Sequence, residues 1–159
     1  MHANSATMQA QGFRPGPVLL GGLLVGTFDL IFACSWWAIA RDVPPIRIFQ
    51  SIAAGVLGDA SFAGGMRSAL LGGVLHYGIA TCMVSAYSLV ATRLPLLARQ
   101  PWHWGPLYGL FLYGVMQFIV LPLSAAGPAK FNAPWILASI VVHMVIGVAC
   151  AFMARRAVR

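Results

Sequence analysis

Residues 18–40 read VLLGGLLVGTFDLIFACSWWAIA, an unbroken apolar run of 23 residues with a single charge, Asp29, near its middle. A bilayer's hydrocarbon core needs roughly 20 apolar residues of helix to cross it, so this stretch predicts a membrane span. It is longer than the ~7–15-residue core of a cleaved signal sequence, and a mid-span carboxylate does not suit one. The reading is therefore a retained helix. Three further runs match it, over 68–92, 104–123 and 134–153. Pro15 and Pro17 precede the first run, Gly64 and Gly65 the second, Pro101 and Pro106 mark the start of the third, and Pro134 opens the fourth, as expected of helix starts. The predicted fold is all-α: an integral membrane four-helix bundle. A polar tail is expected over 1–17, a single transmembrane domain over 18–155 and a basic tail over 156–159.

Composition points the same way. Of 159 residues 60% are hydrophobic and 8% are charged, against roughly a quarter charged in soluble domains, which excludes a soluble enzyme. The only acids are Asp29, Asp42 and Asp59, so paired-glutamate chemistry and carboxylate-rich metal cages are absent. The net charge of +7 does not indicate nucleic acid, because the basic residues sit at the ends of apolar runs rather than together on one face. With a cytoplasmic N-terminus the inner side carries Arg14, Arg93, Arg99, Arg155, Arg156 and Arg159, and the outer side Arg41, Arg47, Arg67 and Lys130. Six against four favours both termini inside. The bilayer is the expected partner. Gly22 with Gly26, and Gly105 with Gly109, have the spacing that lets helices approach closely, either within the bundle or against a second copy or a larger membrane complex.

The one long connection, 41–67, contains a second kind of helix. At 100° per residue over about 45–58, Ile46, Phe49, Ile52, Ala53, Val56 and Leu57 form an apolar stripe, with Arg47, Gln50, Ser51, Ala54, Gly55 and Gly58 opposite. This predicts a short amphipathic helix lying at the membrane interface, with Arg47, Gln50 and Ser51 on its polar side. It either caps the outer mouth of the bundle or simply connects two spans.

Three strings carry a resemblance: Gly26-Thr27-Phe28-Asp29, the segment from Pro44 to Ala53, and Val120-Leu121-Pro122-Leu123-Ser124-Ala125. They resemble small bacterial inner-membrane proteins with four predicted helices and no established activity, over most of the chain after residue 17. The resemblance implies a fold and a membrane, not a reaction.

Function must then be read from polar residues inside the spans. Counted from the outer helix ends, Asp29 lies 11 residues from Ala40, His76 8 from Ser68, Gln117 6 from Leu123 and His143 9 from Pro134. At 1.5 Å per residue these depths fall between about 9 and 17 Å. Antiparallel packing would let all four meet in the interior as a buried Asp/His cluster, because none can face lipid cheaply. Such a cluster suits a proton, ion or small-solute pathway. The plainer alternative is a set of hydrogen bonds that fixes helix register in a non-catalytic structural or accessory subunit. A third is haem or metal between His76 and His143. Among catalytic signatures there is no His-Glu-x-x-His, no Cys-x-x-Cys and no Gly-x-Ser-x-Gly. Cys34, Cys82 and Cys150 fall in three different spans and are expected to be buried and unpaired.

Overall fold

The computed structural model describes residues 13–128 and 131–158; the polar residues 1–12, Lys130 and Arg159, which the sequence assigned to tails and loops, lie outside them. Helix α1 spans Pro15–Arg41, α2 Pro45–Leu57, α3 Gly65–Arg93, α4 Pro95–Arg99, α5 Pro101–Leu123 and α6 Ala133–Ala157. A 3₁₀ turn, Gly58–Ala63, joins α2 to α3. No strand occurs among the described residues. Helices α1, α3, α5 and α6 are long and apolar enough to cross a membrane.

Several ends differ from the sequence reading, each for a local reason. Helix α1 starts at Pro15, whose fixed φ and missing N–H suit a first turn, so residues 15–17 are helix and not tail. The Arg14 N–H donates to the Ala157 carbonyl at 2.9 Å, which fastens the start of α1 to the end of α6. Helix α6 takes Arg155 and Arg156 into its last turn, where cations stabilise the negative end of the helix dipole. Its C-terminal tail is shorter than expected. Helix α4 was not anticipated; Pro95 and Pro101 split what reads as one loop into a five-residue helix and the first turn of α5.

Burial is inverted relative to a soluble domain. Val84, Cys150, Ala151 and Ala154 are wholly buried, while Leu19, Ile31, Leu70, Val74, Phe111 and Leu137 are exposed. Large apolar side chains outside and small ones inside is what lipid as solvent selects, since close backbone approach then replaces the hydrophobic effect between helices. Of the cysteines only Cys150 is buried, Cys34 being half-buried and Cys82 exposed. That corrects the expectation for Cys82, which the apolar exterior accommodates.

Helix α6 touches α1, α3 and α5, and α5 packs along α6. Small residues set these distances. A Cβ at Gly109 would collide with the His143 carbonyl, and one at Gly147 with the Gly105 carbonyl. Gly22 and Gly26 lie against Thr81 and Tyr77 of α3. Both glycine pairs therefore face other helices of the same chain. Tyrosines fill the wider gap between α3 and α5: the Tyr108 hydroxyl donates to the Met83 carbonyl at 2.7 Å, and its ring meets Tyr87 edge-on at 4.8 Å.

Helix α2 docks on the start of α3, and here the helical-wheel assignment fails for Ala54, which is 5% exposed, and more consequentially for a polar residue. Gln50, expected on the polar side with Arg47 and Ser51, is 3% exposed. Its amide donates to the Gly65 carbonyl at 3.1 Å and sits 3.5 Å from the Ser68 hydroxyl. The Arg47 guanidinium reaches the Gln50 side-chain oxygen at 3.4 Å and the Phe62 carbonyl at 3.2 Å. The first residue of α3 and the turn before it present carbonyls to the Gln50 and Arg47 donors, so tertiary contact overrides amphipathic patterning. Gln50→Ala is expected to weaken this docking by about 1–3 kcal/mol, the cost of leaving buried polar groups unpaired. Hydrogen exchange should then accelerate over 45–63 and remain slow in α1, α5 and α6. Unchanged protection in α2 would show that the amide does not hold the helix.

Candidate functional site

A cavity of about 290 Å³ lies between α1, α2, α3, α5 and α6. Asp29, His76, Gln117 and His143 all line it, one from each long helix. Each of the four is only half-buried. The side chains of His76 and Asp29 are 13% and 29% exposed, so these groups form the wall of an opening and not the buried charged cluster that depth counting suggested. Counting residues along helices gives the level of a side chain but not whether neighbours close over it. In this case the helices splay enough to leave a space.

The contacts of each group are specific. His76 Nε2 lies 2.9 Å from the Gly26 carbonyl and 3.9 Å from an Asp29 carboxylate oxygen. A carbonyl only accepts, so His76 Nε2 carries a proton and donates it to Gly26; the carboxylate lies beyond hydrogen-bond distance. His143 Nδ1 likewise donates to the Ser139 carbonyl at 2.9 Å, four residues back on its own helix. Both rings are fixed by a backbone oxygen and by a tyrosine edge, Tyr77 at 5.7 Å from His76 and Tyr113 at 5.5 Å from His143. No lysine or arginine appears among the described lining residues. Asp29 is thus the one carboxylate among the described wall residues.

Gln117 owes its position to a break in α5. Over Met116–Val120 the helix widens into a π-turn, with the Leu121 N–H donating to the Met116 carbonyl five residues earlier. Pro122 explains it: a proline has no N–H to offer and its ring presses on the carbonyl four residues back, that of Phe118. Single π-turns recur at functional sites because they redirect a side chain without ending the helix.

The mouth is aromatic, which the sequence reading missed. Phe32, Trp37 and Trp135 line the cavity. The Phe32 ring stacks on Trp135 at 5.4 Å and 10°, and Trp37 meets it at 5.3 Å. The Asn132 side chain accepts from the Trp135 N–H and starts α6 there, which fixes the indole opposite the end of α1. Trp36, Trp37 and Trp135 sit at span ends, where tryptophan is ordinary in membrane proteins. Their common signal was level: the end of α1 and the start of α6 must adjoin in an antiparallel pair. Of the α2 residues singled out, Ser51 reaches the cavity wall and Arg47 does not.

Metal and haem fare poorly against this geometry. Among the described residues no three His, Cys, Asp or Glu side chains are placed to hold a metal ion, whereas zinc usually takes three or four ligands. His76 and His143 are not presented to one another as an axial pair; each is packed against a different tyrosine and hydrogen-bonded to a different carbonyl. The cavity also lies just below the roughly 300–1,000 Å³ typical of small-molecule sites. No protein-family model, curated protein or solved structure matches this chain, and its function must be argued from the cavity itself.

Proposed function

We propose that the chain is a multi-pass protein of the bacterial inner membrane, a four-helix bundle with both termini cytoplasmic and α2 lying at the outer interface. Its activity in this reading is passage of a proton, ion or small solute by way of the cavity. The observation that carries the proposal is the convergence of Asp29, His76, Gln117 and His143 on one opening within helices that are otherwise apolar. Ionisable groups at membrane depth face cavities and pathways because lipid gives them no partner. Helix α2 supplies Ile48, Ser51 and Ile52 to the same wall, which supports reading it as a cover over the outer end.

Reconstitution tests this reading. Purified full-length protein in liposomes is expected to pass protons or small cations above the rate of empty vesicles. Ile52→Trp, which places an indole in the mouth from a half-buried position on α2, should slow that flux roughly tenfold, an activation cost of about 1.4 kcal/mol. A silent protein that instead copurifies with a larger membrane complex would favour the accessory-subunit reading and end this one.

A further inference from the structure

The geometry points to a small organic ammonium ion with apolar substituents as the solute, held between Asp29 and the aromatic wall of Phe32, Trp37 and Trp135. The inference rests on reading the cavity as a solute site and names the class of solute.

Four observations select it. The first is sign. Asp29 is the one carboxylate in the described wall, and the His76 nitrogen nearest to it has its proton committed to the Gly26 carbonyl. A carboxylate in a low-dielectric setting without a fixed counter-charge is costly, and a cationic solute supplies what the protein omits. The second is the aromatic face. Phe32 and Trp135 stack nearly parallel and Trp37 leans on the same indole. Tryptophan is the strongest cation–π partner, and the attraction grows as water is excluded.

The third observation concerns hydration. Calcium takes about six to eight oxygen ligands, and magnesium, which keeps several waters, is usually held by one or two carboxylates together with phosphate oxygens. The remaining wall is mostly aliphatic, with Met83 and Met116 among it, and no three ligating side chains converge there among the described residues. An alkylammonium ion spreads its charge over methyl groups, sheds water readily and is matched by soft, polarisable neighbours. The fourth is size. About 290 Å³ accommodates a single-ring or short-chain ammonium and little more. A neutral molecule of the same shape fills the space yet leaves Asp29 unpaired, so the site discriminates by charge.

The test compares two molecules that differ only in that charge: benzyltrimethylammonium, and 2,2-dimethylpropylbenzene, in which carbon replaces the nitrogen. Binding to the full-length protein is measured in nanodiscs of phosphatidylcholine alone, which removes adsorption to anionic lipid. The expected result is saturable binding of the cation, roughly tenfold or more tighter than the neutral analogue, as close charge pairing gives at desolvated sites. Asp29→Asn should erase that preference and leave the neutral molecule bound as before. Trp135→Leu should weaken the cation more than the neutral analogue, and it tests the site independently should Asp29→Asn fail to fold. Equal binding of both molecules by the wild type overturns the inference and leaves a solute site of another class. Binding of neither, alongside proton flux that depends on Asp29, overturns it in favour of a proton path. Binding of neither with no flux at all removes the solute site as well.

Discussion

Asp29→Asn is expected to abolish flux through reconstituted protein while leaving its helices and melting behaviour intact. The two side chains have nearly the same shape, so the wall of the cavity keeps its form. What disappears is the one carboxylate among the described residues of that wall, and with it a group able to accept and release a proton there. Folding should not suffer. The carboxylate lies 3.9 Å from His76 Nε2, beyond hydrogen-bond reach, and removing an imperfectly paired charge from a low-dielectric site is commonly neutral or stabilising. The combination is diagnostic: a role confined to holding helices together would show as lost stability, and a role in passage shows as lost flux at unchanged stability. Flux is expected at the level of empty liposomes, measured beside circular dichroism and thermal melting of the same preparation. Wild-type flux from the variant would remove the carboxylate from the path.

The spans were legible because lipid imposes a length: a run such as Val18 to Ala40 has no other economical use in a chain with so few charges. The level of Asp29, His76, Gln117 and His143 was legible for the same reason, since helical rise converts a residue count into depth. Azimuth and closure were not. Whether four side chains at one depth pack together or border a cavity depends on how far apart the helices stand, and that distance is set by contacts such as Gly26 on Tyr77 and Tyr108 on Met83. Gln50 escaped for a related reason. Its partner, the Gly65 carbonyl, belongs to the first residue of α3, whose position against α2 no periodicity encodes. The π-turn around Gln117 did leave a sequence signal in Pro122, but proline near a helix end reads equally well as a stop. The aromatic wall was hidden by a generic explanation, because tryptophans at span ends are ordinary in membrane proteins and only the pairing of Trp37 with Trp135 shows what these two enclose.

Gly109→Leu is expected to be strongly disruptive. At this point α5 and α6 run with their backbones in contact: a Cβ on Gly109 meets the His143 carbonyl and the Met144 Cα, and Gly147 answers from the other side against Gly105 and Gly109. The obstructing atoms are backbone, so no rotamer change can relieve the clash and the helices must separate. Inserting atoms into a packed interior costs about 1–3 kcal/mol even where side chains yield, and more is expected where they cannot. Gly109→Ala, the smallest probe, should lower the melting temperature measurably. Gly109→Leu should leave little monodisperse protein after detergent extraction. Gly78→Ala is the control: nothing lies within 4 Å of its Cβ position, and alanine favours helix over glycine by nearly 1 kcal/mol, so stability should hold or rise. The same contact links packing to the site. The carbonyl that Gly109 approaches is that of His143, so pushing α6 away moves the ring from the cavity wall. Gly109→Ala should therefore depress flux, while Gly78→Ala preserves it. Wild-type melting and flux in Gly109→Leu would mean that α5 and α6 do not meet at these glycines.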